Sequence, residues 1–139
     1  MCTGIRSGIE AAVHMTETAW SEDTTEAILL VDADNAFNRL NRKVALHNIR
    51  ELCPFLHTYL TNHYQVPASL VVSNSDSEYI NMESEEGCIQ GDPSAMPLYA
   101  VGIKPLVADL AEHCCSQENC KQSWYADDSN AIGKLLFLR

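Results

Sequence analysis

The sequence has no long hydrophobic run. None of its apolar stretches approaches the roughly 20 residues that a membrane-spanning helix requires, and no hydrophobic signal-peptide segment follows the first methionine. Internal repeats and low-complexity linkers are also absent from the 139 residues. We therefore expect one intracellular domain without a membrane segment, in either the nucleus or the cytoplasm.

Basic residues are scarce: 9 Lys and Arg stand against 19 Asp and Glu, which gives a formal net charge of −10. Affinity for the phosphates of nucleic acids comes mainly from Lys and Arg. The composition therefore argues against a protein that binds nucleic acid strongly by itself. The basic residues concentrate in residues 39–43, close to the acidic residue Asp32.

The chain contains six cysteines, and without a secretion signal we expect them to be buried thiols. His113, Cys114, Cys115 and Cys120 superficially resemble a zinc site. Structural zinc sites usually take paired ligands from two separated segments, whereas only one cluster is present here. A structural zinc ion is therefore not favoured.

The first half of the chain predicts a helix, a strand and two further helices. Residues 9–20 have helical spacing, and the apolar run 27–31 predicts a strand covered on both faces. The side chain of Asn41 can cap the helix that follows. Pro54 must end that helix and begin another, because proline lacks the backbone donor.

The second half predicts a hairpin, a helix and a second hairpin. Residues 69–73 and 78–82 flank a turn-rich triplet, and the pair Asp92 and Pro93 suits the start of a helix that Pro105 would kink. The predicted fold class is therefore α+β, with helices packed on one face of a mainly antiparallel sheet.

Three acidic residues occupy positions that suit metal binding. Asp32 ends the apolar run of the predicted strand, and Asp127 and Asp128 lie between the two short strands of the last hairpin. Hairpin tips can present carboxylates to a divalent cation, although an Asp-Asp turn on a solvated hairpin is common. Magnesium prefers such oxygen ligands to His or Cys.

Three segments, taken in order, resemble the catalytic motifs of reverse transcriptases. Residues 29–42 resemble the first motif, in which an Asp ends a buried strand and an Ala-Phe or Ala-Tyr pair follows. Residues 86–100 resemble the second, a Gln-Gly-x-Pro turn that opens a helix, and residues 124–128 resemble the third. Residues 2–6 with 11–14 are a weaker match to the preceding fingers motif. The palm domain of non-LTR retrotransposons and group II introns is the most similar branch.

This resemblance implies an RNA-directed DNA polymerase that adds dNTPs to a DNA primer on an RNA template. Its cofactor would be two Mg²⁺ or Mn²⁺ ions, which stabilise the attacking and leaving oxygens during nucleotidyl transfer. Asp32 and Asp127 would bridge the ions with help from Asp128. Asp34 could be mistaken for the first ligand, but the spacing to Ala36 and Phe37 selects Asp32.

The resemblance also implies substrate contacts by Ala33, Phe37, Gln90, Gly91 and Arg6. Ala33 would approach the triphosphate through its backbone, and Phe37 would exclude a 2′-hydroxyl, unless it is simply a core residue at a helix start. Gln90 and Gly91 would lie against the incoming base and the template. Arg6 would bind the triphosphate, although no second basic residue follows it.

Other features depart from the family pattern. Asn38 follows the aromatic residue where an acid or another polar residue is usual, and the residues after Pro93 differ from the usual Leu-Ser-Pro. The family continues beyond this segment with more palm and a thumb, so we expect a palm fragment, largely without fingers and thumb, that is inactive alone. The alternatives are an inert or domesticated remnant that acts as a binding or structural module, a viral RNA polymerase, and an unrelated acidic domain.

Overall fold

The computed structural model describes residues 6–73, 78–115 and 120–138. The chain divides into two compact units, Met1–Asp34 together with Pro105–Arg139, and Asn35–Lys104. Within the described residues, no helix has both the length and the apolar character needed to cross a membrane. The predicted turn at 74–76 and most of the weak fingers motif lie outside the described residues.

The secondary structure alternates short helices with antiparallel strands. In chain order the elements are α1 Gly8–Trp20, β1 Ala27–Val31, α2 Ala36–Arg39, α3 Arg42–Leu52, α4 Pro54–Tyr64, β2 Ala68–Ser73, β3 Tyr79–Ser84, α5 Ala95–Gly102, α6 Lys104–Cys115, β4 Lys121–Tyr125, β5 Asp128–Gly133 and a short 3-10 turn Leu135–Phe137. The predicted α+β class is confirmed at this level, as are the helix at 9–20 and the strand at 27–31.

Local sequence signals explain several of the element boundaries. The side chain of Asn41 accepts a hydrogen bond from the Val44 amide at 3.0 Å, so it caps α3 as predicted. Pro54 occupies the first turn of α4, where its missing N–H is not needed. The four-residue helix α2 was not predicted from the sequence.

The first unit is built on a three-stranded antiparallel sheet in the order β1-β5-β4. The register pairs Ala27 with Gly133 and Val31 with Ser129. Ile132 of the central strand is almost fully buried. An ion pair of 2.8 Å between Lys121 and Glu22 joins the start of β4 to the loop after α1.

The predicted single sheet with helices on one face is wrong in one respect. The described strands form two separate sheets, since β2 and β3 pair only with each other. In the three-stranded sheet, Gln122 donates to the Val107 carbonyl of α6 at 3.3 Å, whereas its neighbour Ser123 borders a cavity beside α1. Both α1 and α6 therefore lie close to β4.

The prediction that β1 is covered on both faces is also wrong. Leu30 is 75% exposed, and Leu29 and Val31 on the other face are each more than a third exposed. A continuous apolar run indicates what a strand could bury, but the cover must come from other elements. Here α1 leaves an open cavity above Leu30 instead of packing tightly against it.

The second unit packs α3 against α4 and α5. Its buried side chains come mainly from these three helices and include Ala45, Ile49, Leu60, Tyr64, Leu98 and Tyr99. A Cβ placed on Gly102 would lie 3.0 Å from the Cβ of Ala45, so the small residue permits close approach of α5 to α3. Asn48 adds a hydrogen bond of 2.8 Å to the Gly102 carbonyl.

The segment after the predicted Gln-Gly turn folds differently from the prediction. Helix α5 begins at Ala95, and Asp92 bonds to the amide and hydroxyl of Ser94 in a local turn instead of capping a helix. The predicted long helix is two helices, and Pro105 lies at the start of α6 and not at a kink. Proline suits this first-turn position for the reason given for Pro54.

A buried arginine holds the chain that leaves β3. Arg42 is only 5% exposed, and its guanidinium donates to the Gly87 carbonyl at 2.6 Å and to the Ser84 carbonyl and hydroxyl at 2.7 and 2.9 Å. Its Cζ lies 5.5 Å from the centre of the Tyr64 ring, within cation–π range. The backbone amide of Arg42 also donates to Glu86 at 3.2 Å. The first turn of α3 is thereby joined to the segment after β3.

Replacing Arg42 with Lys should destabilise the protein, because a lysine ammonium cannot reproduce the planar arrangement of donors. We expect a loss of about 2–4 kcal/mol in the free energy of unfolding, since buried carbonyls lose their partners. Denaturant unfolding measures it, with Arg50→Lys as the control, because Arg50 lies on the same helix with an exposed side chain. Equal effects of the two changes would contradict the structural role of Arg42.

Replacing Gly87 with Ala should also destabilise the protein strongly. Gly87 has a φ of 73°, and a Cβ there would clash with the backbone of Asn38. Strain and overpacking together should lower the free energy of unfolding by about 2–5 kcal/mol. Gly91→Ala is the matched control, because Gly91 also has a positive φ, of 93°, but no atom lies within 4 Å of its would-be Cβ. A thermal-unfolding comparison that finds the two variants equal would contradict the clash.

Candidate functional site

The last hairpin has a two-residue turn that carries the first acid of the Asp-Asp pair. The register pairs Tyr125 with Asp128, which leaves Ala126 and Asp127 as the turn. Ala126 has a φ of 52°, a left-handed conformation that non-glycine residues seldom adopt. Positive φ at a tight hairpin turn matches the twist of the strands, but nothing in an alanine signals it in the sequence.

The strand register brings two of the predicted ligand acids together. Val31 pairs with Ser129, so continuing the antiparallel register by one residue sets Asp32 opposite Asp128. Residues directly opposite in a sheet share a face, and their side chains are neighbours. Both residues are exposed. Two carboxylates facing each other destabilise a sheet, and a bound cation would relieve this repulsion.

These two acids border a cavity of about 620 Å³ between α1 and the sheet. Ile9, Val13 and Leu30 provide apolar wall, and Asp32 and Asp128 both belong to the lining. Neither Asp34 nor Asp127 lines this cavity. Asp32 and Asp128 therefore line the same cavity, and the bridging role expected for Asp127 stays a prediction.

The donor set suits a hard divalent cation only in part. Carboxylate oxygens are the ligands that Mg²⁺ and Mn²⁺ prefer. Within residues 6–73, 78–115 and 120–138, however, no group of three or more His, Cys, Asp or Glu side chains is arranged to hold a metal ion. The pair Asp32 and Asp128 can thus supply two ligands, and the remaining positions of an ion would need water, phosphate oxygens or Asp127.

Two further predicted contact residues belong to the first unit. Ala33 follows Asp32 directly and is half-buried, and the adjacent Asp34 is exposed. Arg6 is exposed and lies just before α1, separated from it by Ser7 with a φ of 56°. Their roles in substrate binding remain predictions.

Phe37, Gln90 and Gly91 belong to the second unit. Phe37 stacks on Tyr99, with ring centroids 4.6 Å apart and an angle of 17° between the planes. Its carbonyl also accepts a hydrogen bond of 2.7 Å from the Cys88 amide. The stacking contact with Tyr99 therefore supports the alternative interpretation of Phe37 as a packing residue.

Gln90 and Gly91 form the exposed middle of a tight turn. The Asp92 amide donates to the Ile89 carbonyl at 3.1 Å, and Gly91 has a φ of 93°. A positive φ at the third residue is the requirement of a type II turn, which glycine meets without strain. The predicted turn is confirmed, while its contact with a base or template stays a prediction.

A polar cluster next to this turn was not predicted from the sequence. Asp92 accepts hydrogen bonds from Tyr64 and from the amide and hydroxyl of Ser94. Burial and the bond to Asp92 raise the pKa of Tyr64, and the bonds from Ser94 and Tyr64 hold the pKa of Asp92 below its usual value. The spacing of Asp92 and Ser94 is the available sequence signal, because Asp commonly bonds the backbone two residues on.

Cys88 lies beside the same cluster but is not suited to act as a nucleophile. Its side chain is buried, and burial raises the pKa of its thiol to about 11. The reactive form of cysteine is the thiolate. At neutral pH Cys88 is therefore a packing residue, with its sulfur directed at the Phe37 carbonyl 3.4 Å away.

No protein-family model matches the sequence, and the curated proteins include none that is significantly similar to it. The fold and the local geometry define a small α+β protein with an exposed acid pair at the edge of a cavity.

Asp92 should make the stability of the protein depend on acid pH. Since its native pKa lies below the ordinary value of 3.8, its ionised form stabilises the fold fully above the unfolded pKa, and this stabilisation is lost as the pH falls through the native pKa. Asp92→Asn should lose roughly 1–3 kcal/mol of unfolding free energy at neutral pH and should lose less further stability on acidification than the parent protein does.

Urea unfolding at a series of pH values from about 6 down to about 2 measures this difference. Asp23→Asn, which changes an exposed acid of the first unit, serves as the control and should keep the parent slope. An Asp92→Asn variant with the parent slope in acid would contradict the assignment.

Proposed function

We propose that the chain is part of a reverse transcriptase palm, whose function is metal-dependent nucleotidyl transfer of dNTPs onto a primer with RNA as template. One observation carries the proposal: Asp32 and Asp128, which come from two separate motifs, line the same open cavity next to the last printed pair of β1 and β5, Val31 with Ser129. The order of the three sequence motifs supports it independently.

The residues that would hold Mg²⁺ or Mn²⁺ are Asp32 and Asp128, with Asp127 from the adjacent turn. A bound divalent ion supplies electrostatic stabilisation of phosphoryl oxygens during in-line displacement. The protein's own contribution is positioning. Asp32 directly follows β1 and Asp128 begins β5, and these strands are paired neighbours, so the two carboxylates come from adjacent points of one sheet.

Ligands at the ends of paired strands suit this chemistry, because regular backbone pairing limits their displacement. A displacement of reacting groups by about 1 Å can reduce a rate by roughly a hundredfold. The apolar wall of the cavity leaves the two carboxylates near low-dielectric surface on one side, where their attraction for a cation is stronger than in water. The proposed contacts of Ala33, Phe37, Gln90, Gly91 and Arg6 with nucleotide, primer or template rest on the motifs alone.

A binding or structural module without catalysis is the second candidate. It is favoured by the formal net charge of −10 and by the lack of a three-ligand group in the part of the chain that the structure describes. The two candidates differ in one measurable respect. A nucleotidyl transferase requires a divalent ion at Asp32 and Asp128, whereas a structural module does not.

Titration with Mn²⁺ should therefore stabilise the protein through these acids. An ion at about ten times its Kd raises the free energy of unfolding by roughly 1.4 kcal/mol, which is a shift of a few degrees in Tm. Asp32→Asn and Asp128→Asn should each abolish the shift, and Asp127→Asn should weaken it. Thermal unfolding gives the shift, and the electron paramagnetic resonance signal of free Mn²⁺ counts bound ions.

Asp34→Asn is the matched control, because it removes an acid two residues from Asp32 that does not line the cavity. A Mn²⁺ response that survives Asp32→Asn and Asp128→Asn, or that is lost equally in Asp34→Asn, would contradict the proposed site. Primer extension with dNTPs on an RNA template then separates the candidates: Mn²⁺ binding at the acid pair without incorporation would favour the binding module.

A further inference from the structure

Two cysteine side chains meet where α6 ends and β4 is about to begin. Cys114 lies in the last turn of α6, and Cys120 directly precedes β4. Their sulfur atoms are 2.7 Å apart, and the residues are only 7% and 9% exposed. Both are thiols in this structure. The proposed polymerase function uses neither of them.

The distance between the two sulfurs is close to that of a covalent bond. A disulfide has an S–S length of about 2.05 Å, so the sulfurs need to approach by only about 0.65 Å from the observed 2.7 Å. Two side chains brought this close by the fold have already lost most of the freedom that bond formation would remove. A disulfide here therefore needs little rearrangement.

We propose that Cys114 and Cys120 are a redox-sensitive pair that forms a reversible intramolecular disulfide and so fastens α6 to the start of β4. This inference is independent of the proposed polymerase function. The strand it fastens leads, five residues after Cys120, to Tyr125 and the turn with Asp127. Oxidation thus stabilises the sheet that carries the acid pair.

Oxidation proceeds by exchange with a small-molecule disulfide, such as glutathione disulfide. The thiolate of one cysteine attacks a sulfur of the small disulfide, which gives a mixed disulfide and releases one thiolate. The second cysteine, as its thiolate, then attacks the protein sulfur of the mixed disulfide and releases the other thiolate. In total the protein loses two electrons and two protons, and the small disulfide takes them up as two thiols. Because both cysteines are largely buried, the exchange should be slow.

The contacts around the pair explain what the bond would add. The side chain of Gln122 donates to the Val107 carbonyl of α6 at 3.3 Å, and Lys121 pairs with Glu22 at 2.8 Å with both side chains about 40% exposed. Contacts of this kind contribute little individually. A covalent bond between Cys114 and Cys120 closes a short loop and removes conformational freedom from the unfolded chain.

The test incubates the full chain with oxidised and reduced glutathione and then counts thiols under denaturing conditions. The six cysteines should fall to four reactive thiols, and Tm should rise by about 4–10 °C. Cys114→Ser and Cys120→Ser should each keep all five of their thiols and show no rise in Tm. Cys115→Ser, the matched neighbour, should still lose two thiols and still gain stability.

Cleavage after glutamate locates the bond, because Glu112 and Glu118 bracket Cys114 and Cys115 while Cys120 falls in the following peptide, and the Cys114→Ser and Cys115→Ser variants distinguish the two neighbours. The expected product is the peptide 113–118 linked to the peptide that begins at residue 119, released by reductant. The proposal is overturned if all six thiols persist in the oxidising buffer. It is equally overturned if the bond survives in Cys114→Ser, or if it joins other cysteines.

Discussion

The buried guanidinium of Arg42 is the constraint on which the second unit depends. Its hydrogen bonds to Gly87 and Ser84 fix the chain as it leaves β3, and a buried arginine is tolerated only when such partners satisfy it. Gly87 must then approach Asn38 so closely that no side chain fits. From this anchor the chain continues through Cys88, whose amide donates to the Phe37 carbonyl. The tight turn at residues 89–92 therefore follows directly on a segment that hydrogen bonds hold in place.

The first unit depends instead on strand register. The pairing of Val31 with Ser129 determines that Asp32 meets Asp128. A register shift by one residue would turn every side chain of a strand to the other face, so the position of the two acids depends on this pairing. In this sheet Ile132 of β5 is almost fully buried, whereas Leu30 of β1 is 75% exposed, so the pairing forms without a complete hydrophobic layer over β1.

Sequence-based prediction succeeded where the interactions are local and failed where they join distant parts of the chain. The cap at Asn41 and the start at Pro54 depend on residues within one helical turn, and both predictions were confirmed. The cover over Leu30 and the partners of Arg42 depend on residues far along the chain: the cover was predicted wrongly, and the partners were not predicted. From the sequence, Arg42 was counted as part of a basic segment near Asp32. In the structure its guanidinium is buried and donates hydrogen bonds to carbonyls within the second unit. The three acids were named from the sequence, and the register adds that Asp128 pairs with Tyr125 at the start of β5 while Asp127 lies in the turn.

The residues of the three motifs differ in how well packing alone explains them. Phe37 stacks on Tyr99, Gly87 admits the backbone of Asn38, and Asp92 accepts bonds from Tyr64 and Ser94. Each of these residues is explained by folding of the second unit, so its presence would be expected with or without an enzymatic role. Asp32 and Asp128 differ, because both are exposed, both line the same cavity and, among the residues that the structure describes, no packing contact accounts for either carboxylate. Carboxylate oxygens are ligands that hard divalent cations prefer, which is why the proposed metal site is assigned to these two residues. The case for metal chemistry therefore rests on the residues that folding explains least.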